Sequence, residues 1–217
     1  MTFQILLGIF PLGAYLTILG WLRWTRPALV TTGGRDTFAL ALAAIGLAAI
    51  GPGDLFFPAA AGAAFGPIVW PVMMLLYFLI VALWVLHQRP RLVIYGLGDK
   101  GLSEPLLRAC RQIDPQCKLD PNSGTITMPG SHLHLRLVRN PGGESAEIEA
   151  FENGVAPQFW RGLLTSLRKE VGAEKGDGNR QGLLWMVSGA SVLLWCAGQL
   201  VFRTVDVTRG LHDWLWR

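Results

Sequence analysis

The chain has 217 residues, 51% of them hydrophobic and only 16% charged, with a mean hydropathy of +0.37. That balance fits a membrane protein. The net charge of +4 is modest and lacks the basic patch interleaved with exposed aromatics that nucleic-acid binding needs, so no nucleic-acid partner is expected.

A hydrocarbon core of roughly 30 Å takes a helix of about 20 apolar residues. Thr2 to Leu22 supplies this without a charge, and it lacks the basic start and small-residue cleavage pattern of a signal peptide. It reads as a retained span over residues 2–22, with Pro11 accommodated by neighbouring helices. Arg23, Arg26 and Arg35 follow in the first loop. The second span, residues 37–57, is rich in Ala and Leu from Phe38 to Ile50 and then meets Gly51-Pro52-Gly53-Asp54. Counted to Ile50 it is short, so it either recruits Leu55, Phe56 and Phe57 or sits in a locally thinned bilayer. Asp54 is the single acid of the loop 51–65 and the membrane-loop candidate, read as solvated or as the cap of a helix from Leu55 onward. The third span, residues 66–88, carries Trp70 at its start and Pro71 within it. The fourth covers residues 181–203. The tail 204–217, with Leu211, Trp214, Leu215 and Trp216, is expected to lie along the outer interface.

Basic residues mark the cytoplasmic ends of spans. Arg23, Arg26, Arg35, Arg89, Arg91, Lys175 and Arg180 fall on one side of the predicted topology, whereas residues 51–65 have none. The bias puts both termini outside and the central domain in the cytosol of a multi-pass, bacterial-type inner membrane protein. No span interior contains Asp, Glu, Lys or Arg, which argues against proton-coupled transport and most ion pathways. Small residues on the second span (Ala43, Gly46) and on the fourth (Gly189, Ala190) suit close helix contact, within one bundle or between subunits.

Residues 89–180 form the central domain. Arg91 to Tyr95 reads as a buried strand, and Ser103 is placed to cap a helix that buries Leu106, Leu107, Cys110 and Ile113 until Pro115 closes it. Short strands over 117–119 and 125–128 follow, then a hairpin of His132 to Arg139 and Ser145 to Glu152 turning at Asn140-Pro-Gly-Gly143. With Arg139 opposite Glu144, Arg136 pairs with Glu147, His134 with Glu149 and Leu135 with Ile148, giving one apolar and one charge-complementary face. A final amphipathic helix buries Phe159, Trp160, Leu163, Leu164, Leu167 and Val171. Residues 172–179 form a flexible tether. The expected fold class is therefore membrane α-helical, four transmembrane helices with an inserted small cytosolic α+β two-layer sandwich.

Chemistry is sparse. Gly96-Leu-Gly98-Asp-Lys-Gly101 spells a dinucleotide fingerprint with Asp120 about 20 residues on, but Pro105 and the hairpins that follow favour a plain glycine turn. His132 and His134, pointing the same way along one strand with Glu149 opposite, are weak metal candidates that lack a fourth ligand. Three cysteines, two in the domain, suggest reduced thiols in the cytosol. No catalytic residue and no cofactor is expected. The function read from this pattern is a membrane-anchored binding, adaptor or regulatory module acting through its cytosolic domain, with a protein partner or a second copy as ligand. Its contact candidates are Arg136 on the hairpin and Arg161, Arg168 and Lys169 on the basic face of the final helix. A small oligomeric transporter or channel subunit is the alternative.

Overall fold

The computed structural model describes residues 2–25, 28–96, 102–120, 123–139, 145–152, 154–173 and 180–216. The elements run α1 (Thr2–Thr25), β1 (Leu29–Thr32), α2 (Gly33–Ile50), α3 (Pro52–Leu55), α4 (Ala59–Phe65), α5 (Val69–His87) and β2 (Arg91–Tyr95). They continue with α6 (Ser103–Ile113), β3 (Lys118–Asp120), β4 (Thr125–Met128), β5 (Leu133–Arg139), β6 (Ser145–Ala150), α7 (Pro157–Ala173), α8 (Arg180–Phe202) and α9 (Thr204–Leu215). Contacts divide the chain into a helical unit (Met1–Gly20, Thr37–His87, Leu184–Arg217) and a sheet unit (Trp21–Asp36, Gln88–Leu183).

Four helices are long and apolar enough to cross a membrane: Thr2–Thr25, Gly33–Leu55, Ala60–His87 and Gln181–Phe202. The second is longer than the sequence suggests because α2 begins at Gly33, with Asp36 in its first turn where the helix dipole favours an acid. Pro71 lies in the first turn of α5, where its missing amide costs no intrahelical bond. Leu75, Leu79, Leu83 and Leu86 are all more than half exposed, the reverse of a water-facing helix.

Glycine sets the helix contacts in this unit. A Cβ on Gly46 of α2 would run into the carbonyl oxygen of Leu7 on α1. One on Gly189 of α8 would lie 2.8 Å from the carbonyl oxygen of Gly13 on the same α1. The Tyr77 hydroxyl donates to the Ala41 carbonyl at 2.8 Å, tying α5 to α2. The expected small-residue surfaces thus serve packing inside the bundle.

The tail forms α9 and packs one side on the helical unit. Trp214 of α9 is only 7% exposed and stacks on Trp70 with ring centroids 3.5 Å apart. Phe57 stacks on Trp70 at 4.9 Å, and Phe3 lies 5.9 Å from Trp214. The ends of α1, α5 and α9 and the 51–57 loop therefore share one aromatic cluster, while Leu211 and Trp216 stay exposed.

The sheet unit holds a six-stranded antiparallel sheet in the order β1-β2-β6-β5-β4-β3. Its first strand comes from the loop between the first two spans, which the sequence reading treats only as a basic connection. Helices α6 and α7 pack on one face. Leu92, Ile94, Ile126, Leu135 and Ile148 from the strands meet Leu106 and Cys110 of α6 and Leu163, Leu167 and Val171 of α7 in one buried core. Glu170 of α7 joins the helices by accepting from Arg108 at 3.1 Å and Gln112 at 2.7 Å.

Two local expectations are corrected. Ser103 is the first residue of α6 rather than its cap; Leu102 holds the cap position with no side-chain capping bond. The β5–β6 hairpin is shifted by two residues: Arg136 lies opposite Glu149, Leu137 opposite Ile148 and Leu135 opposite Ala150. Side chains alternate with a period of two, so a two-residue shift keeps each on its face. The turn over 140–144 and the tether over 174–179 lie outside the described residues.

Candidate functional site

The face of the sheet away from α6 and α7 is the surface available for function, and its two halves differ. Along β2 and β6 this face carries Arg91, Val93, Tyr95, Ser145, Glu147 and Glu149. Here the chain covers itself. Val93 is 2% exposed, the Tyr95 hydroxyl donates to Asp36 at 2.8 Å, and the Arg23 guanidinium carbon stands 6.0 Å from the Tyr95 ring centroid. Arg91 donates to Glu147 at 2.8 Å and packs against Gly33, where a Cβ would lie 2.5 Å from the Arg91 Cγ. This half is covered by the Arg91–Glu147 ion pair and by residues at the end of α1 and the start of α2.

Along β5, β4 and β3 the same face carries His134, Arg136, Thr125, Thr127, Lys118 and Asp120. His134, Arg136, Lys118 and Asp120 are exposed. Thr127 sits opposite His134 and Thr125 opposite Arg136, so the strip is a ladder of short hydroxyls and long charged side chains. The two sheet edges differ in the same sense. On β1, Arg168 of α7 donates from Nε and Nη2 to the Val30 carbonyl at 3.1 and 3.0 Å. On β3, Lys118 and Asp120 face outward.

This placement sorts the candidates. Arg136 lies in the open strip. Arg161 and Lys169 are exposed on α7, away from that strip. Arg168, expected as a contact residue, instead braces the β1 edge. His132 does not sit on the strand: its φ is 50°, in the left-handed turn before β5. Its ring is thus not aligned with that of His134 by strand alternation, which removes the basis of the two-histidine site. His134 pairs with Glu152 rather than with Glu149, its Nδ1 lying 2.7 Å from Oε1. No group of three or more His, Cys, Asp or Glu side chains suited to a metal occurs among the described residues.

Glu152 completes the hairpin where β6 stops. Its carboxylate accepts the His134 amide at 3.0 Å from each oxygen, while the Phe151 amide donates to the His134 carbonyl at 3.0 Å. Partial burial works against ionisation of Glu152, but the hydrogen bonds from the His134 amide and ring outweigh it and hold the carboxyl below its usual range. No sequence pattern signals this side-chain substitute for a strand carbonyl.

Asp54 is half-buried inside α3, not ahead of it, and the cap position belongs to Gly51. Residues 97–101 of the glycine fingerprint lie outside the described residues. Strands β2 and β3, however, are separated by β6, β5 and β4, whereas a dinucleotide fold makes the flanking strands of such a unit parallel neighbours. Two cavities stand out. One of about 250 Å³ in the helical unit is lined by Ala48, Gly53, Phe56, Trp70, Met73 and Ile80 and is almost wholly apolar. One of about 40 Å³ in the sheet unit, beside Arg89, Glu152 and Trp160, has room for about one water. No family model, curated protein or solved structure matches this chain.

Proposed function

We propose that this chain is a multi-pass protein of a bacterial-type inner membrane, with both termini outside and the sheet unit in the cytosol, that works as a membrane-anchored binding or adaptor module. The observation that carries this reading is the asymmetry of the sheet's second face. One half is covered by Arg23 of α1 and by Gly33 and Asp36 of α2 and tied by the Arg91–Glu147 ion pair, and the other leaves Lys118, Asp120, His134 and Arg136 exposed. A strip of mixed charge and hydroxyls suits a polar protein surface that supplies both signs of charge. The bilayer anchors the module through the four apolar helices, and the arginines at positions 23, 35, 89 and 91 support the cytosolic assignment.

The test is affinity purification of the full chain from native membranes in mild detergent, beside an Arg136→Glu, Lys118→Glu variant. A partner held by the wild type and lost from the folded variant supports the reading. Equal recovery from both rules out this strip. Sidedness is checked separately with a cysteine placed at position 60: labelling only from the cytoplasmic side would overturn the topology.

A further inference from the structure

The second candidate span is broken near one end. Helix α2 stops at Ile50 and α3 restarts at Pro52, whose ring supplies no amide. The break uses its own backbone groups: the Gly51 amide donates to the Leu47 carbonyl at 2.9 Å and the Phe56 amide to the Pro52 carbonyl at 2.9 Å. Between this break and α5 lies the cavity of about 250 Å³. Ala48, Gly53 and Phe56 wall one side of it, and Trp70, Met73, Tyr77 and Ile80 wall the other. Gly53 leaves its wall bare; a Cβ there would lie 2.9 Å from the Ala48 carbonyl oxygen and 3.8 Å from the Trp70 ring. The Tyr77 hydroxyl is already committed to the Ala41 carbonyl, and Trp70 is fixed by stacking on Phe57 and Trp214.

We propose that this cavity is a binding site for one acyl chain of a bilayer phospholipid. Its lining is almost wholly apolar, so water finds no partners there, yet it exceeds the roughly 150 Å³ in which a dry protein cavity already binds benzene. Left empty, a space of that size forfeits the dispersion contacts of its walls. The cavity is also continuous with the apolar surface of the helical unit. Phe56, Leu76 and Ile80 line it and are each more than half exposed, on the surface that the membrane reading places in hydrocarbon. Its length suits one leaflet: Trp70 to Ile80 covers about 15 Å of α5, half of a hydrocarbon core of roughly 30 Å. A second helix of that length, about 10 Å across, would need on the order of 1,000 Å³, so the space fits a single chain and not another span. Met73 and Met74 are unbranched and let the wall adjust to the chain it holds. The headgroup stays at the Trp70 end, where an aromatic residue marks the interface. The phospholipid assignment rests on the proposed membrane placement; the apolar cavity does not.

The experiment uses the full chain in mild detergent, supplied with a few equivalents of phosphatidylethanolamine that carries a diazirine halfway along one acyl chain. After irradiation and digestion, tandem mass spectrometry locates the adducts. The expected result is labelling of Met73, Met74 and Tyr77 several-fold above that of Leu194 and Val201 on α8, which are 74% and 73% exposed but do not line the cavity. Ala48→Phe fills the space and should remove this excess while α8 labelling stays unchanged; Met73→Trp does the same from the opposite wall if the first variant fails to fold. Lining residues labelled no more than α8, as a collapsed cavity or one filled by a second copy would give, overturn the proposal. So does an excess that survives both substitutions. A diazirine-bearing free fatty acid that labels the lining in preference to the phospholipid overturns the phospholipid assignment. Alkaline extraction of native membranes separates the two claims: release of the protein contradicts the membrane reading, whereas retention without the α5 excess contradicts the chain-binding site alone.

Discussion

The two halves of one sheet face obey the same strand alternation yet have opposite fates. On the β1–β2–β6 side, Val93, Tyr95 and Arg91 are closed over by Asp36, Arg23 and Gly33. On the β5–β4–β3 side, His134, Arg136 and Lys118 stand in solvent. The difference lies in what the chain places nearby, since the segment from the end of α1 to the start of α2 supplies both an extra strand and a cover for one half alone. Alternation identifies the polar face but not which part of it is already used.

The largest effect that sharpens this contrast is expected at Val93. Val93→Asp would bury an unpaired charge and cost about 3 to 5 kcal/mol, seen as a drop in the melting temperature of the purified protein. The same change at Thr127, on the open half, should leave melting almost unaltered; equal losses at both sites would erase the distinction. Arg168→Gln removes two charge-assisted bonds to Val30 and should cost about 1.5 to 3 kcal/mol, with hydrogen exchange rising first along β1. Unchanged exchange there would show that the brace is dispensable.

Some of this was legible in the sequence. The alternation of Leu133, Leu135 and Leu137 and the helical spacing of Leu163, Leu167 and Val171 identify the core. The hairpin register was not legible, because Ala146, Ile148 and Ala150 repeat with the same period and a slip of two residues conserves every face. The strand Leu29–Thr32 is too short, and lies too far from its partner in sequence, for periodicity to reveal. Helical spacing marks Arg168 as outward-facing, but it carries no information on a side chain reaching back to a strand carbonyl. His132 fails as a ligand candidate because of one backbone angle that sequence alternation assumes away.

Smaller effects complete the contrast. Tyr95→Phe removes the bond to Asp36 and should cost about 1 kcal/mol, measured by thermal or urea unfolding. Glu152 has a folded pKa below its unfolded value, so its contribution is complete above the ordinary glutamate range and is lost as pH falls through the lowered value. Wild type should therefore lose more stability than Glu152→Gln on acidification below about pH 4.3, and parallel pH profiles would remove Glu152 from the account. Arg136→Ala should change stability by less than about 0.5 kcal/mol while weakening partner recovery.

The most direct test of the open half-face is photo-crosslinking in native membranes, with a photoreactive residue placed at Thr127 in one variant and at Thr31 on the covered half in another. The account predicts an adduct of defined mass from position 127 and none from position 31. Adducts from position 31 alone, or the same pattern from both, would contradict it.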